Sequence, residues 1–324
     1  MSDTVTAHYY VSLCFHGLKR LGFAGAESTS EDQSMAQELA EMGEAFSFSP
    51  PLAGGPIFTL VYQIPGYLNP QDTEEMLRIF DGVGDLVKSG SIQHLQREFP
   101  ERTAEWEKWF TRPWLNSICD PLKEQQTEVC QLIHRFAAYL EQLWPRFNTQ
   151  YSHWYEEFIS DQWSSQLQVA EVIDTWEQVL GISYPYRQFS LVVCPESPTL
   201  ASSLGPEKVV FGQRRGIHLA ERSLVHEVGV RMQGLHRVAE HPATAQTMVD
   251  DYLGILRLIE AEACFQKPQV MDELGLEYDA DADRLLHGMQ LAELVHMRAE
   301  ICEMDSFPST LARWYSRAKQ EQLL

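Results

Sequence analysis

The chain has 324 residues, of which 44% are hydrophobic and 22% are charged, a composition typical of a folded globular protein. Its 25 lysine and arginine residues face 46 aspartate and glutamate residues, so the formal net charge is -21. This excess of negative charge would repel nucleic-acid phosphates and anionic lipid, so we expect neither a nucleic-acid partner nor a membrane partner.

The N-terminal portion is predicted to mix strands and helices. The first residues lack the basic flank and apolar core of a signal peptide, and the sequence contains no apolar run of membrane-spanning length. We therefore expect a cytoplasmic protein. Residues 9–15 and 57–63 are rich in β-branched and aromatic residues, which favours strands. Helix-start signals predict a helix from about residue 69 to 86, and residues 93–110 form a second amphipathic segment.

The middle of the chain is predicted to be helical. Apolar residues recur at three-and-four spacing over 122–143, and tryptophans continue the pattern over 151–180. This spacing indicates that the tryptophans are core residues rather than a binding site. The six cysteines are scattered, none closer than eleven residues to another, which predicts buried thiols rather than a metal knuckle or a disulfide framework.

The pattern changes after residue 180, where we place a boundary between two lobes. Residues 189–194 and 208–211 are predicted strands, and a glycine-containing turn leads to a predicted helix over 219–233. A second predicted helix covers 249–266. It carries Glu260 on its apolar side, where a carboxylate needs a partner.

An adjacent histidine and glutamate, His226 and Glu227, lie in the apolar run of the first of these helices. A zinc peptidase uses such a pair as its first metal ligand and its general base. In such a peptidase, the second histidine ligand lies one helical turn after the first. Val230 occupies that position in this chain, and Arg231 occupies the next one, where the extended spacing would put the histidine. Neither spacing is therefore completed by a histidine. The motif therefore indicates either an active metal site or a former metal site that has lost its activity.

Two segments together resemble the gluzincin metallopeptidases, especially the microtubule tyrosine carboxypeptidase family and its bacterial relatives. They are His-Glu-Val-Gly-Val-Arg at 226–231 and Ile-Glu-Ala-Glu-Ala at 259–263. The resemblance covers roughly 189–265, a minority of the chain. It implies a predominantly helical α+β fold with an N-terminal lobe over 1–180 and a zincin-like lobe over 181–324.

The resemblance also implies roles for individual residues, with zinc as the cofactor. His226 corresponds to the first zinc ligand, Glu227 to the base that activates the zinc-bound water, and Glu260 to the third ligand. Arg231 stands at the second ligand's position in the family's extended spacing. An arginine side chain stays protonated and offers no lone pair, so it cannot ligate zinc.

The sequence leaves three interpretations open. In the first, zinc is bound and His236 or His241 replaces the missing imidazole; His236 follows His226 by ten residues, the interval of the third histidine in metzincins. In the second, the fold persists without metal, and Arg231 supplies the positive charge that the carboxylates would otherwise receive from zinc. In the third, Glu227 and Arg231 form an ordinary helical ion pair and His226 is a core histidine.

The function expected first is a zinc-dependent, peptidase-like hydrolase acting on a peptide or protein. The alternative is a catalytically inactive zincin-fold pseudoenzyme that binds a peptide or protein. The predicted binding surface is strand 208–211, interpreted as an edge strand that pairs with an extended peptide. Lys208, Arg214 and Arg215 belong to this surface, and the two arginines are suited to a carboxylate.

Overall fold

The computed structural model describes most of the chain. The described residues are 4–22, 32–41, 55–106, 112–160, 163–197, 201–213, 216–234, 237–238, 244, 246–247, 250–280, 289–301 and 307–324. Over these ranges the protein is predominantly helical with one four-stranded sheet, which confirms a helix-rich α+β protein. None of the described helices combines the length and the apolar composition needed to cross a membrane.

The chain divides into two compact units. The sheet unit comprises Thr4–Leu167 and Ser190–Ile217, and the His-Glu unit comprises Gln168–Phe189 and His218–Leu324. The predicted boundary at residue 180 stays a prediction. Strands of the sheet unit are β1 (Thr4–Thr6), β2 (Ser190–Cys194), β3 (Ser202–Ser203) and β4 (Lys208–Gly212).

Helices supply most of the sheet unit. They are α1 (Tyr9–Arg20), α2 (Gln33–Glu41), α3 (Pro56–Phe58), a π-helix (Thr59–Gln63), α4 (Ile64–Leu68), α5 (Thr73–Ser89), α6 (Gln93–Glu98), α7 (Arg112–Cys119), a 3-10 helix (Asp120–Gln125), α8 (Gln126–Ser160) and α9 (Trp163–Gln166). The long helix α8 packs against α5 and α1.

The strands predicted over 9–15 and 57–63 are wrong, because both segments are helical. Residues Tyr10 to Phe15 are all buried, and so are Ile57 to Tyr62. An apolar run that is buried on every side shows no period, so its sequence does not distinguish a strand from a buried helix. The second segment forms a π-helix flanked by two short helices.

Helix α5 is confirmed, and its ends follow from local chemistry. The Asp72 side chain accepts a hydrogen bond from the backbone N–H of Glu75 at 2.7 Å, which caps the first turn. The helix ends at Gly90, whose φ of 63° belongs to the left-handed region that glycine adopts without strain. Within the segment predicted over 93–110, residues Gln93–Glu98 form helix α6, which ends there because Pro100 disfavours helical backbone in the residue before it; residues 107–110 lie outside the described residues.

The sheet has the order β1-β2-β4-β3, with β1, β2 and β4 parallel and β3 antiparallel to β4. Both strands predicted near residues 189 and 208 are therefore confirmed. The prediction that 208–211 is an edge strand is wrong. Val209 and Val210 of β4 pair with β2 on one side and with Ser203 and Ser202 of β3 on the other. This pairing uses the main-chain groups that an added peptide strand would need.

The His-Glu unit is built from five described helices. They are α10 (Val169–Leu180), α11 (Ile217–Gln233), α12 (Tyr252–Glu273), α13 (Met289–Glu300) and α14 (Phe307–Gln320). Helix α12 packs against α10, α13 and α14, and Asp251 caps it by accepting a hydrogen bond from the backbone N–H of Gly254 at 3.0 Å. The two helices predicted to carry the site, over 219–233 and 249–266, are confirmed as α11 and α12.

Candidate functional site

A close contact between helices α10 and α11 fixes the helix that carries the His-Glu pair. The indole Nε1 of Trp176 donates a hydrogen bond to the backbone carbonyl of Val225 at 2.8 Å. Gly229 lies one turn further along, and a Cβ at this position would overlap the Trp176 ring. The glycine is therefore a packing requirement, because only a residue without a side chain lets the indole approach the helix.

His226 is buried, and residues of helix α12 contact both of its ring nitrogens. Nε2 lies 3.3 Å from Oε2 of Glu260, and Nδ1 lies 3.5 Å from Sγ of Cys264. Glu260 and Cys264 are four residues apart, so they project from the same face of α12. The structure thus brings together the histidine and the glutamate that the sequence proposed as metal ligands, and it adds a thiol at the opposite ring nitrogen.

The electrostatic environment of His226 is set by these same neighbours. Burial by itself lowers the pKa of the imidazole, but Cys264 and Glu260 outweigh burial and raise the pKa to about 10. The raised pKa favours the protonated ring, which pairs with the Glu260 carboxylate at 3.3 Å. Both nitrogens of an imidazolium carry a proton, so a metal ion can bind the ring only by displacing one of these protons.

Arg231 lies on the face of Glu227 rather than on that of His226. Its Nη1 donates to Glu227 Oε2 at 2.9 Å and to the Glu227 backbone carbonyl at 3.0 Å. The guanidinium carbon stands 5.4 Å from the ring centroid of Phe189, and the arginine side chain is 0% exposed. A buried cation therefore holds the carboxylate that the family resemblance assigns as general base.

The regular spacing of helix α11 identifies the position that a second metal ligand would occupy. Glu227 and Arg231 meet at a separation of four residues, so Val230 lies on the face of His226 by the same spacing. Val230 is buried and has no donor atom. The arginine that replaces a histidine in the extended family spacing is thus turned away from His226.

The described donor set falls short of a catalytic zinc site. Such a site takes three protein ligands and a water. His226 and Glu260 are two suitable donors, and the described residues contain no group of three or more His, Cys, Asp or Glu that could hold a metal ion. His236 and His241, the predicted replacement ligands, lie outside the described residues.

The predicted substrate-binding residues do not form one described cluster. Lys208 donates from Nζ to the backbone carbonyl of Tyr67 at 2.7 Å, and its Nζ lies 4.4 Å from the centre of the Tyr67 ring. Burial lowers the pKa of this lysine. Its ammonium is thus engaged within the sheet unit. Arg214 and Arg215 lie outside the described residues.

Two residues of helix α12 have positions that the sequence analysis did not anticipate. Cys264 was predicted only to be a buried thiol, as it is, but its spacing of four residues from Glu260 was a signal that both side chains face the same neighbour. Glu262, the second acid of the Ile-Glu-Ala-Glu-Ala segment, is instead bound by Arg298, with Nη2 at 3.2 Å from Oε1. Both members of this second pair are buried, so Glu262 has a structural partner.

Comparison of the chain with models of protein families, with curated proteins and with solved structures finds no match. The resemblance to gluzincin metallopeptidases therefore rests on the two short segments that carry His226, Glu227 and Glu260, and it stays a hypothesis.

Proposed function

We propose that this chain is a catalytically silent, zincin-like protein that binds a peptide or protein partner. In this proposal, ion pairs hold the site together where an active zincin uses zinc. The observation that carries the proposal is the contact between Glu227 and the buried guanidinium of Arg231, 2.9 Å apart. The fold assignment rests on the His-Glu helix facing a glutamate of a second helix.

The charges around the site support a role for Arg231 in place of a metal ion. In a zincin, the ion neutralises the carboxylates that face it. Here the guanidinium faces Glu227, and the His226 imidazolium faces Glu260. A pair of unit charges 4 Å apart attracts by about 4 kcal/mol at an effective dielectric of about 20, before desolvation is subtracted. Each carboxylate thus has a protein cation.

The accessible side chains of the site suggest the chemistry of the partner. The Arg231 and His226 side chains are 0% and 4% exposed, whereas those of Glu227 and Glu260 are 14% and 20% exposed. Solvent therefore reaches carboxylates rather than the cations behind them. A lysine, an arginine or an N-terminal amine of a peptide is the group that complements this surface.

A second candidate function is the zinc-dependent peptidase-like hydrolase. The separation of 3.3 Å between His226 Nε2 and Glu260 Oε2 favours it. Two ligands with bonds of about 2.0–2.1 Å to a tetrahedral zinc ion lie about 3.3 Å apart. The contact of Cys264 with Nδ1 would then orient the ligand imidazole, as outer-shell partners do in metal sites. The third ligand would have to be His236 or His241.

The substitution Val230→His separates the two candidates. It places a histidine one turn after His226 and completes a His-Glu-x-x-His motif, with Glu260 as the remaining ligand. If the chain is a silent zincin, purified wild-type protein holds almost no zinc, and the variant binds about one zinc per chain. Arg231→His places its imidazole on the face of Glu227 and should gain no zinc if helix α11 keeps its regular geometry. Glu221→His, on the same helix, is the matched control and should gain no zinc.

Each outcome of this experiment is informative once circular dichroism has established that the variants are folded. Zinc in the wild-type protein that disappears in His226→Ala supports the hydrolase. In that case Glu227→Gln should abolish peptide hydrolysis and keep the metal, because it removes the base but no ligand. Failure of Val230→His to bind zinc would contradict the zincin-like arrangement itself.

A further inference from the structure

A cleft in the sheet unit is lined by basic residues, although the chain as a whole is acidic. It has a volume of about 230 Å³ and lies between the C-terminal end of α5, helix α7 and the 3-10 helix. The charged residues in its lining are Lys88, Arg112, Lys123 and Asp120. Three positive charges and one negative charge leave the lining at +2, in a chain whose net charge is -21.

These cations are only partly engaged by the protein. Lys123 pairs with Asp120 at 2.8 Å. Arg112 donates from Nη1 to the backbone carbonyl of Gly90 at 3.0 Å, which fixes the guanidinium at the edge of the cleft. Within the described residues, neither Arg112 nor Lys88 has a carboxylate at ion-pair distance.

Neutral groups line the rest of the cleft. Asn116 contributes an amide. Gly90 has no atom within 4 Å of the position where a Cβ would stand, so this side of the cleft is open. The Cys119 thiol is buried, and burial raises its pKa to about 11. It therefore stays protonated at neutral pH and adds no negative charge that would repel an anion.

We propose that this cleft binds a small molecule carrying a phosphate monoester. A dianionic phosphate matches the +2 charge of the lining. An arginine fork and two lysines are the groups that proteins use to hold phosphate oxygens. The volume admits a compact ligand of this kind and excludes a folded macromolecule from the cleft interior. The proposal is independent of the function proposed for the His-Glu unit.

The test is calorimetric titration of the full chain with inorganic phosphate and with methyl phosphate at constant ionic strength. Both should bind saturably, and acetate should bind at least tenfold more weakly because it carries one charge and two oxygens. Lys88→Gln should weaken phosphate binding about fivefold or more. The double variant Lys88→Gln/Arg112→Gln should remove binding. Constant ionic strength removes the general screening effect of added salt.

Arg78→Gln is the matched control. Arg78 lies on the same helix α5 but outside the cleft lining, and its partner is Glu98 at 3.8 Å. This variant removes the same charge from the same helix and should change phosphate affinity by less than twofold. Equal weakening by Arg78→Gln and Lys88→Gln, equal affinity for acetate, or the lack of saturable phosphate binding would each overturn the proposal.

Discussion

Replacing Arg231 by methionine tests whether the ion pair with Glu227 organises the site or is an ordinary feature of a helix surface. An exposed pair at this spacing contributes about 0.3–0.5 kcal/mol. The Arg231 side chain, however, is 0% exposed and that of Glu227 is 14% exposed. Removing one partner of a buried pair costs about 3–5 kcal/mol, because the other charge is left without its counterion. Since Glu227 retains some solvent contact, we expect a loss near 3 kcal/mol, at the lower end of that range.

The double variant Arg231→Met/Glu227→Gln is the control for lost packing. It removes both charges, so it should recover most of the stability that the single variant loses. Urea unfolding at pH 7, followed by circular dichroism, gives the unfolding free energies of the wild-type protein, the single variant and the double variant. A loss below about 0.5 kcal/mol in the single variant would refute a buried pair and favour the ordinary helix contact. A double variant no more stable than the single one would show that packing, rather than charge, determines the effect.

Two further predictions concern packing and pH. Gly229→Ala should destabilise the protein by about 1–3 kcal/mol, because its methyl group would overlap Trp176. Gly84→Ala, whose methyl group would have a ring carbon at 3.5 Å as its nearest neighbour, should instead stabilise the protein by about 0.5–1 kcal/mol. Thermal unfolding of the two variants checks this contrast. His16 and a neighbouring lysine lower the pKa of Glu196 to about 2 in the folded protein. The carboxylate therefore stabilises the fold fully above its ordinary value of 4.5, and this contribution is lost as the pH falls towards 2. Glu196→Gln should flatten the pH dependence of stability between pH 5 and 3, and an unchanged slope would contradict the assignment.

Local chemistry made some elements predictable from the sequence. Helix α5 has a capping aspartate at its start and a glycine at its end, so both signals lie within the segment itself. Helix α1 has no comparable information, because the residues from Tyr10 to Phe15 are buried on all sides by long-range contacts. The pairing of β4 with Ser202 and Ser203 could not be predicted from the sequence either, because a two-residue strand is too short to show an alternation of apolar and polar residues.

The candidate site divides in the same way. The contact between His226 and Glu260 was predictable, because a carboxylate on an apolar helix face needs a partner and a buried histidine supplies one. The family resemblance aligned Arg231 with a ligand on the face of His226, whereas the spacing of four residues had predicted its ion pair with Glu227 in the third interpretation. The regular geometry of helix α11 instead turns it towards Glu227.

The zinc content of the purified wild-type chain tests the central claim most directly. The protein should be purified without chelators, equilibrated with zinc and freed of loosely bound metal before elemental mass spectrometry. If ion pairs hold the site, zinc should be far below one ion per chain, and His226→Ala should hold no less than the wild-type protein does. About one zinc per chain, lost in His226→Ala, would contradict the account and assign His226 to a metal site.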